Sequence, residues 1–178
     1  VLHMMGNHGP AYFRRYPPEF RRFTPDCVTA ELRNCSREQV VNAYDNAILY
    51  TDHVLAGIVG TLAGARALDT AMIYVSDHGE SLGEHGLYLH GLPYSIAPTT
   101  QTHVPMIAWL SPGFSAAEGV NRRCLQARAG EPLSHDNLFH SVLGLLDVQT
   151  HVYKPERDLF EGCHGHPAPA FAQNARAK

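Results

Sequence analysis

Ala71-Met72-Ile73-Tyr74-Val75, followed at once by Ser76-Asp77-His78-Gly79-Glu80, is an apolar run that ends in a cluster of polar, chemistry-bearing residues. Five apolar residues, rich in β-branched and aromatic types, read as a buried strand of a parallel sheet. In open α/β sheets ligands bind just beyond the carboxyl ends of such strands, so Asp77 and His78 stand where sites are built. A carboxylate oxygen and an imidazole nitrogen suit zinc or manganese, and Gly79 lets the chain turn so that both donors converge. A lone Asp-His pair at a strand end also reads as a simple hydrogen-bonded pair.

The other histidines widen the choice. Of the 12 in the chain, His3, His8, His85 and His90 fall near glycine in apparent loops, where backbone and substrate approach closely. Taken singly, each reads equally as a solvated loop residue.

Around these residues the expected elements alternate. Residues 1–6 read as a strand that delivers the His8 loop, and the segment after it is broken by Pro10, Pro17, Pro18 and Pro25. Ser36 with Gln39 forms a capping-box pattern. Apolar residues then recur at helical spacing from Val40 to Leu62, with Gly64 as the stop. The strand at 71–76 would complete a right-handed β-helix-β crossover with residues 1–6. Asp45, Asn46 and Asp52 are assigned to the polar face of the helix. Residues 104–110 read as a further strand with Pro105 at its entry, and residues 111–133 as a connection. Ser134 caps a helix striped by Leu138, Val142, Leu145 and Leu146. From Glu161 the pattern lapses. Residues 1–160 are therefore expected to form one partial domain, truncated on its N-terminal side, and 161–178 a disordered tail. Cys163, His164 and His166 in that tail are weaker metal candidates.

Composition narrows the function. Formal charge is −3, which argues against a general nucleic-acid binder. Arg14, Arg15, Arg21 and Arg22 alternate with Tyr12, Phe13, Tyr16, Phe20 and Phe23, a stretch suited to phosphate head groups or to a solvated loop packed on its aromatics. No stretch approaches the roughly 18 consecutive apolar residues of a spanning helix. Cys27 and Cys35 enclose a turn-rich segment able to bring two Cα atoms within disulfide range; two free thiols in a reducing compartment are the alternative. Cys124 and Cys163 suggest no pairing.

The motifs His3-Met4-Met5-Gly6-Asn7-His8-Gly9-Pro10-Ala11-Tyr12, Phe23-Thr24-Pro25-Asp26-Cys27, Asn42-Ala43-Tyr44-Asp45-Asn46, Tyr74 to Glu84, Tyr88-Leu89-His90-Gly91 and Ser134-His135-Asp136-Asn137-Leu138-Phe139-His140 occur in order. Together they resemble the catalytic domain of the lipid A phosphoethanolamine transferases, which include the mobile colistin-resistance enzymes. The resemblance runs from residue 1 to about residue 147. It implies an alkaline-phosphatase-like (sulfatase-like) α/β/α sandwich, here a partial domain. It also implies a periplasmic location, with tethering to the inner membrane of a Gram-negative bacterium through an N-terminal transmembrane domain outside these residues. A disulfide like Cys27–Cys35 is a family feature.

The implied reaction is zinc-dependent transfer of phosphoethanolamine from phosphatidylethanolamine to lipid A through a covalent intermediate. Asp77 and His78 would hold zinc. His8 and His90 would lie across the pocket to bind the phosphate or a second metal, and to shuttle the proton. The family's attacking threonine and its glutamate ligand lie upstream of the matched motifs, and no threonine here sits in the nucleophile's motif. Glu80 and Glu84 are either further acidic ligands or supports for the loops. Two other readings stand beside this one: a hydrolase or phosphoglycerol transferase of the same superfamily, and a non-catalytic, histidine-rich metal-binding module.

Overall fold

The computed structural model describes residues 1–165. These divide into two compact units, where the sequence suggested one: Val1–Gly64 with Ile73–Ala108, and Ala65–Met72 with the chain from Trp109 onward.

The first unit is built on helix α1, Arg37–Gly64. Its start is the capping box read from the sequence. The Gln39 amide N–H donates to Ser36 Oγ at 3.2 Å, and the Ser36 amide N–H donates to Gln39 Oε1 at 2.8 Å. Val40, Ala43, Ala47, Thr51 and Leu55 make a buried stripe at helical spacing. The helix packs on the short 3-10 turns at Tyr12–Arg14 and Pro18–Phe20. By length and composition α1 is apolar enough to cross a membrane, and its buried residues lie on the stripe from Val40 to Leu55.

Asn46 departs from its expected place on the polar face and is fully buried. Its Oδ1 accepts from the Arg22 and Phe23 amides at 2.7 and 2.8 Å, and its Nδ2 donates to the Phe23 carbonyl at 2.9 Å. An irregular segment has unpaired backbone groups, and this amide satisfies three of them.

A core of Tyr12, Cys27, Leu32, Val40 and Ala43 closes against Tyr44, Leu82, Tyr88 and Leu89. The expected disulfide is formed, with Cys27 and Cys35 Cα atoms 5.7 Å apart.

Four expectations about strands are corrected. Residues 1–5 take no regular structure, and Val1 and Leu2 are exposed. Among the described residues none forms a ladder with this run. Among the described residues the β-helix-β crossover is therefore not formed. Strand β1, Ala71–Val75, pairs instead with the strand Met106–Leu110. The Ser76 amide donates to the Pro105 carbonyl and the Ser111 amide to the Thr70 carbonyl, so the two strands run antiparallel rather than parallel. β1 is half-buried throughout rather than fully enclosed.

Strands β2, Ser81–Leu82, and β3, Tyr88–Leu89, form a short antiparallel hairpin. Helix α2, Thr99–Thr102, leads into the Met106–Leu110 strand, β4.

In the second unit the connection after β4 contains two short helices, α3 (Pro112–Ala117) and α4 (Arg122–Ala127). Each is capped by a side chain, Ser111 for α3 and Asn121 for α4. Helix α5 spans Asp136–Leu145 with His135, not Ser134, at its N-cap. Ser134 instead gives its amide N–H to Asn137 Oδ1 at 2.8 Å.

The expected disorder does not begin at Glu161. Cys163 is buried and bonded to Cys124, whose Cα lies 5.5 Å away, and the Asn121 amide donates to the Cys163 carbonyl at 2.8 Å. That disulfide was not anticipated, and it removes the Cys163 sulfur as a metal ligand. His166 lies outside the described residues, as does the rest of the tail.

Candidate active site

Three loops of the first unit bring His8, His78 and His90 together. One ring nitrogen from each lies within 4.8 Å of the others. The rings of His78 and His90 stack at 3.7 Å, and the His8 ring meets them edge-on at 5.8 and 5.1 Å.

In all three residues Nδ1 faces an acceptor-only oxygen: the Gly9 carbonyl for His8 at 2.8 Å, the Gly79 carbonyl for His78 at 2.9 Å and Glu80 Oε1 for His90 at 2.8 Å. Such partners hold the proton on Nδ1, leaving each Nε2 with a free lone pair. Imidazoles engaged in this way at Nδ1 could offer Nε2 to a borderline-soft cation such as zinc or to a phosphoryl oxygen.

Local backbone explains the convergence. A Cβ on Gly9 would come within 2.6 Å of Leu89 Cδ2 and 2.7 Å of Tyr12 Oη, so only glycine lets the His8 loop lie against the hairpin. On Gly79 a Cβ would strike the Thr100 carbonyl, and the Gly79 amide bonds the Gln101 carbonyl at 2.9 Å, docking the turn after β1 onto α2. Leu89 holds φ of 64° and Gly91 105° on either side of His90. A leucine in the left-handed region is strained, a feature concentrated where side chains must be aimed.

Asp77 is not gathered with the histidines. Its carboxylate is 84% exposed and its Oδ2 stands 3.9 Å from His78 Nε2, while its Oδ1 accepts the His78 amide. His3 and His85 stay outside the cluster, His85 in the hairpin turn with φ of 53°. Glu84 closes that same turn, accepting the Leu82 amide at 2.7 Å and Arg37 at 3.3 Å.

Glu80, weighed in the sequence against a ligand role, is buried beneath His90 and accepts the Tyr12 hydroxyl at 2.9 Å. Burial first, then the Glu80 carboxylate, push the Tyr12 phenol far above its ordinary pKa, so it remains a donor. In the sequence Tyr12 stands in the same motif as His8 and in the basic and aromatic stretch, with nothing there to pair it with Glu80. In the basic stretch Arg21 is bound to Asp26, Arg15 Nε donates to the His8 carbonyl at 2.9 Å, and Arg14 lies 5.4 Å over the Phe13 ring.

Comparison with known proteins identifies relatives of this chain. The family model described as Sulfatase matches residues 1–148. Phosphoethanolamine transferase EptA of Salmonella typhimurium is 51% identical over 165 residues, covering 92% of this chain and 30% of that protein. Phosphatidylethanolamine transferase Mcr-1 of Escherichia coli is 44% identical over 149 residues, covering 83% and 26%.

The crystal structure of the soluble domain of lipooligosaccharide phosphoethanolamine transferase A from Neisseria meningitidis superposes with a TM-score of 0.90 at 45% identity. It covers 93% of this chain and 50% of that domain. The integral membrane form of the same protein gives 0.89, with 31% of its chain covered. The alkaline-phosphatase-like fold and the resemblance read from the motifs are both borne out. The chain spans less than a third of the length of these curated relatives.

Proposed function

We infer that this chain, which belongs to the sulfatase family, is part of the periplasmic catalytic domain of a zinc-dependent phosphoethanolamine transferase. Its donor would be phosphatidylethanolamine and its acceptor lipid A. The observation that carries the reading is the convergence of one ring nitrogen each from His8, His78 and His90 to within 4.8 Å, in a chain 51% identical over 165 residues to a phosphoethanolamine transferase.

His78 is the pivot. Its Nε2 is open to a cation that the Asp77 carboxylate, 3.9 Å away, would help to hold from the exposed side. Zinc bound there would act as a Lewis acid and favour an ionised hydroxyl at neutral pH.

His8 and His90 then face the phosphoryl group. Their Nδ1 protons are committed elsewhere, so each Nε2 accepts the proton of an incoming hydroxyl or, once protonated, binds a non-bridging oxygen and returns the proton to the leaving alkoxide. In the reaction the resemblance implies, a threonine oxygen bonds to phosphorus as the bond to the diacylglycerol oxygen breaks. Diacylglycerol leaves with the proton, and a lipid A oxygen then displaces the threonine in the same way. None of the threonines in this chain is given the nucleophile's role.

Transfer from a labelled phosphatidylethanolamine analogue, measured on the whole membrane protein that carries this chain, tests the reading. His78→Ala is expected to abolish both zinc content and transfer. His90→Ala is expected to lower turnover by about 10²–10⁴-fold with zinc retained. Simple phosphodiester hydrolysis without transfer would favour the hydrolase alternative. Zinc binding with neither activity would favour the metal-binding module. The 178-residue chain alone, supplied with zinc, is expected to show no transfer.

A further inference from the structure

We propose that Glu80 is a positioning residue, anchored by Tyr12, that fixes the tautomer and aim of His90 and so sets the histidine cluster for phosphoryl chemistry. Two of the three histidines are oriented by the carbonyl of the next residue, a local contact that each loop supplies for itself. His90 differs. Its Nδ1 is held by a carboxylate from the turn after β1, ten residues away.

That carboxylate is itself held. Its side chain is 3% exposed, and its second oxygen accepts the hydroxyl of Tyr12, a residue 1% exposed in the core of the first unit. The chain Tyr12–Glu80–His90 thereby joins the three segments that carry His8, His78 and His90.

A buried carboxylate is expensive to place without donors, and here a core tyrosine and a site histidine donate to it. A carboxylate behind an imidazole keeps the proton on the near nitrogen and the lone pair on the far one. Loss of such partners typically costs about 10–100-fold in activity. Without Glu80 the His90 proton redistributes between the two ring nitrogens, and the ring, flanked by strained Leu89 and by Gly91, is free to rotate.

The inference rests on the transferase reading for its consequence but not for its geometry, and the experiment separates the two. Nitrogen-15 spectra of the histidine rings in the chain report the tautomer directly. The wild type is expected to hold His90 as Nδ1–H. Glu80→Gln keeps an acceptor oxygen and is expected to preserve that state, while Glu80→Leu is expected to give a mixture.

In the whole enzyme Glu80→Leu is expected to reduce kcat about 10–100-fold with zinc content unchanged, and Glu80→Gln to recover most of it. Combined with His90→Ala, Glu80→Leu should add no further loss, because a residue acting only through His90 has nothing left to position. Additive losses, or an unaltered His90 tautomer in Glu80→Leu, would overturn the proposal. If Glu80→Leu does not fold, Tyr12→Phe frees the carboxylate without removing it and must shift the His90 ring signals; unchanged signals would overturn the relay. An enzyme without transfer activity but with the expected tautomers would refute the transferase reading and leave the positioning role standing.

Discussion

A single amide, Asn46, holds the irregular segment around Phe23 to helix α1, because three backbone groups that no ladder satisfies meet its side chain in the core. Asn46→Ala leaves those groups buried and unpaired. It is expected to cost about 2–4 kcal/mol, read as a fall in the denaturant midpoint at unchanged slope. Asp26 makes a second residue-scale prediction. Burial raises its pKa, but hydrogen bonds from Arg21 and from Tyr16, whose phenol is pushed up to about 12, outweigh that and leave Asp26 below its ordinary value. A carboxyl depressed on folding stabilises the protein above its unfolded pKa of about 3.9, and the gain is lost as pH falls through the folded value. Asp26→Asn should therefore destabilise the chain at pH 7 and lose its effect in acid. Unfolding curves of both proteins from pH 7 to pH 2 test this, and a gap that stays constant would contradict it.

At the scale of elements, α1 was the most legible part of the chain, because its signals are local. Ser36 and Gln39 exchange the hydrogen bonds their spacing promised, and the helix ends at Gly64 as read. Ser36→Ala removes a cap and is expected to cost about 1 kcal/mol, measurable by thermal or denaturant unfolding. The strands were less legible. Residues 1–5 and 71–75 have similar apolar character, yet only the second is a strand. The difference is the partner: β4 supplies a backbone to β1, and the described residues supply none to the N-terminal run. Pairing direction likewise depends on which segment arrives alongside, which an apolar run does not encode.

For the molecule as a whole, two disulfides set the expected conditions of folding. Cys27–Cys35 closes a separation of 8 residues and Cys124–Cys163 one of 39. Loop-closure entropy scales with the logarithm of the loop, giving about 2.6 kcal/mol for the first and about 4 for the second. Unreduced peptide mapping of exported protein is expected to find both pairs. Removing the Cys124–Cys163 pair by double alanine substitution should destabilise its unit more than removing Cys27–Cys35 destabilises the other. Free thiols in exported protein would weigh against both the pairing and an oxidising compartment.

The sequence by itself determined what depends on neighbours along the chain. These are the capping box and length of α1, the strand before Asp77, the glycine-rich turns, the short disulfide and, through ordered motifs, the family. Only the tertiary structure decided which residues meet. It drew His8 and His90 to His78 while leaving the Asp77 carboxylate in solvent, buried Asn46 on a face that looked polar, joined Cys124 to Cys163, and set Glu80 between Tyr12 and His90. Spacing along a chain constrains geometry over one turn or one hairpin. The 68 residues between Tyr12 and Glu80 are bridged by a hydrogen bond that forms only when a buried carboxylate must find donors inside a closed core.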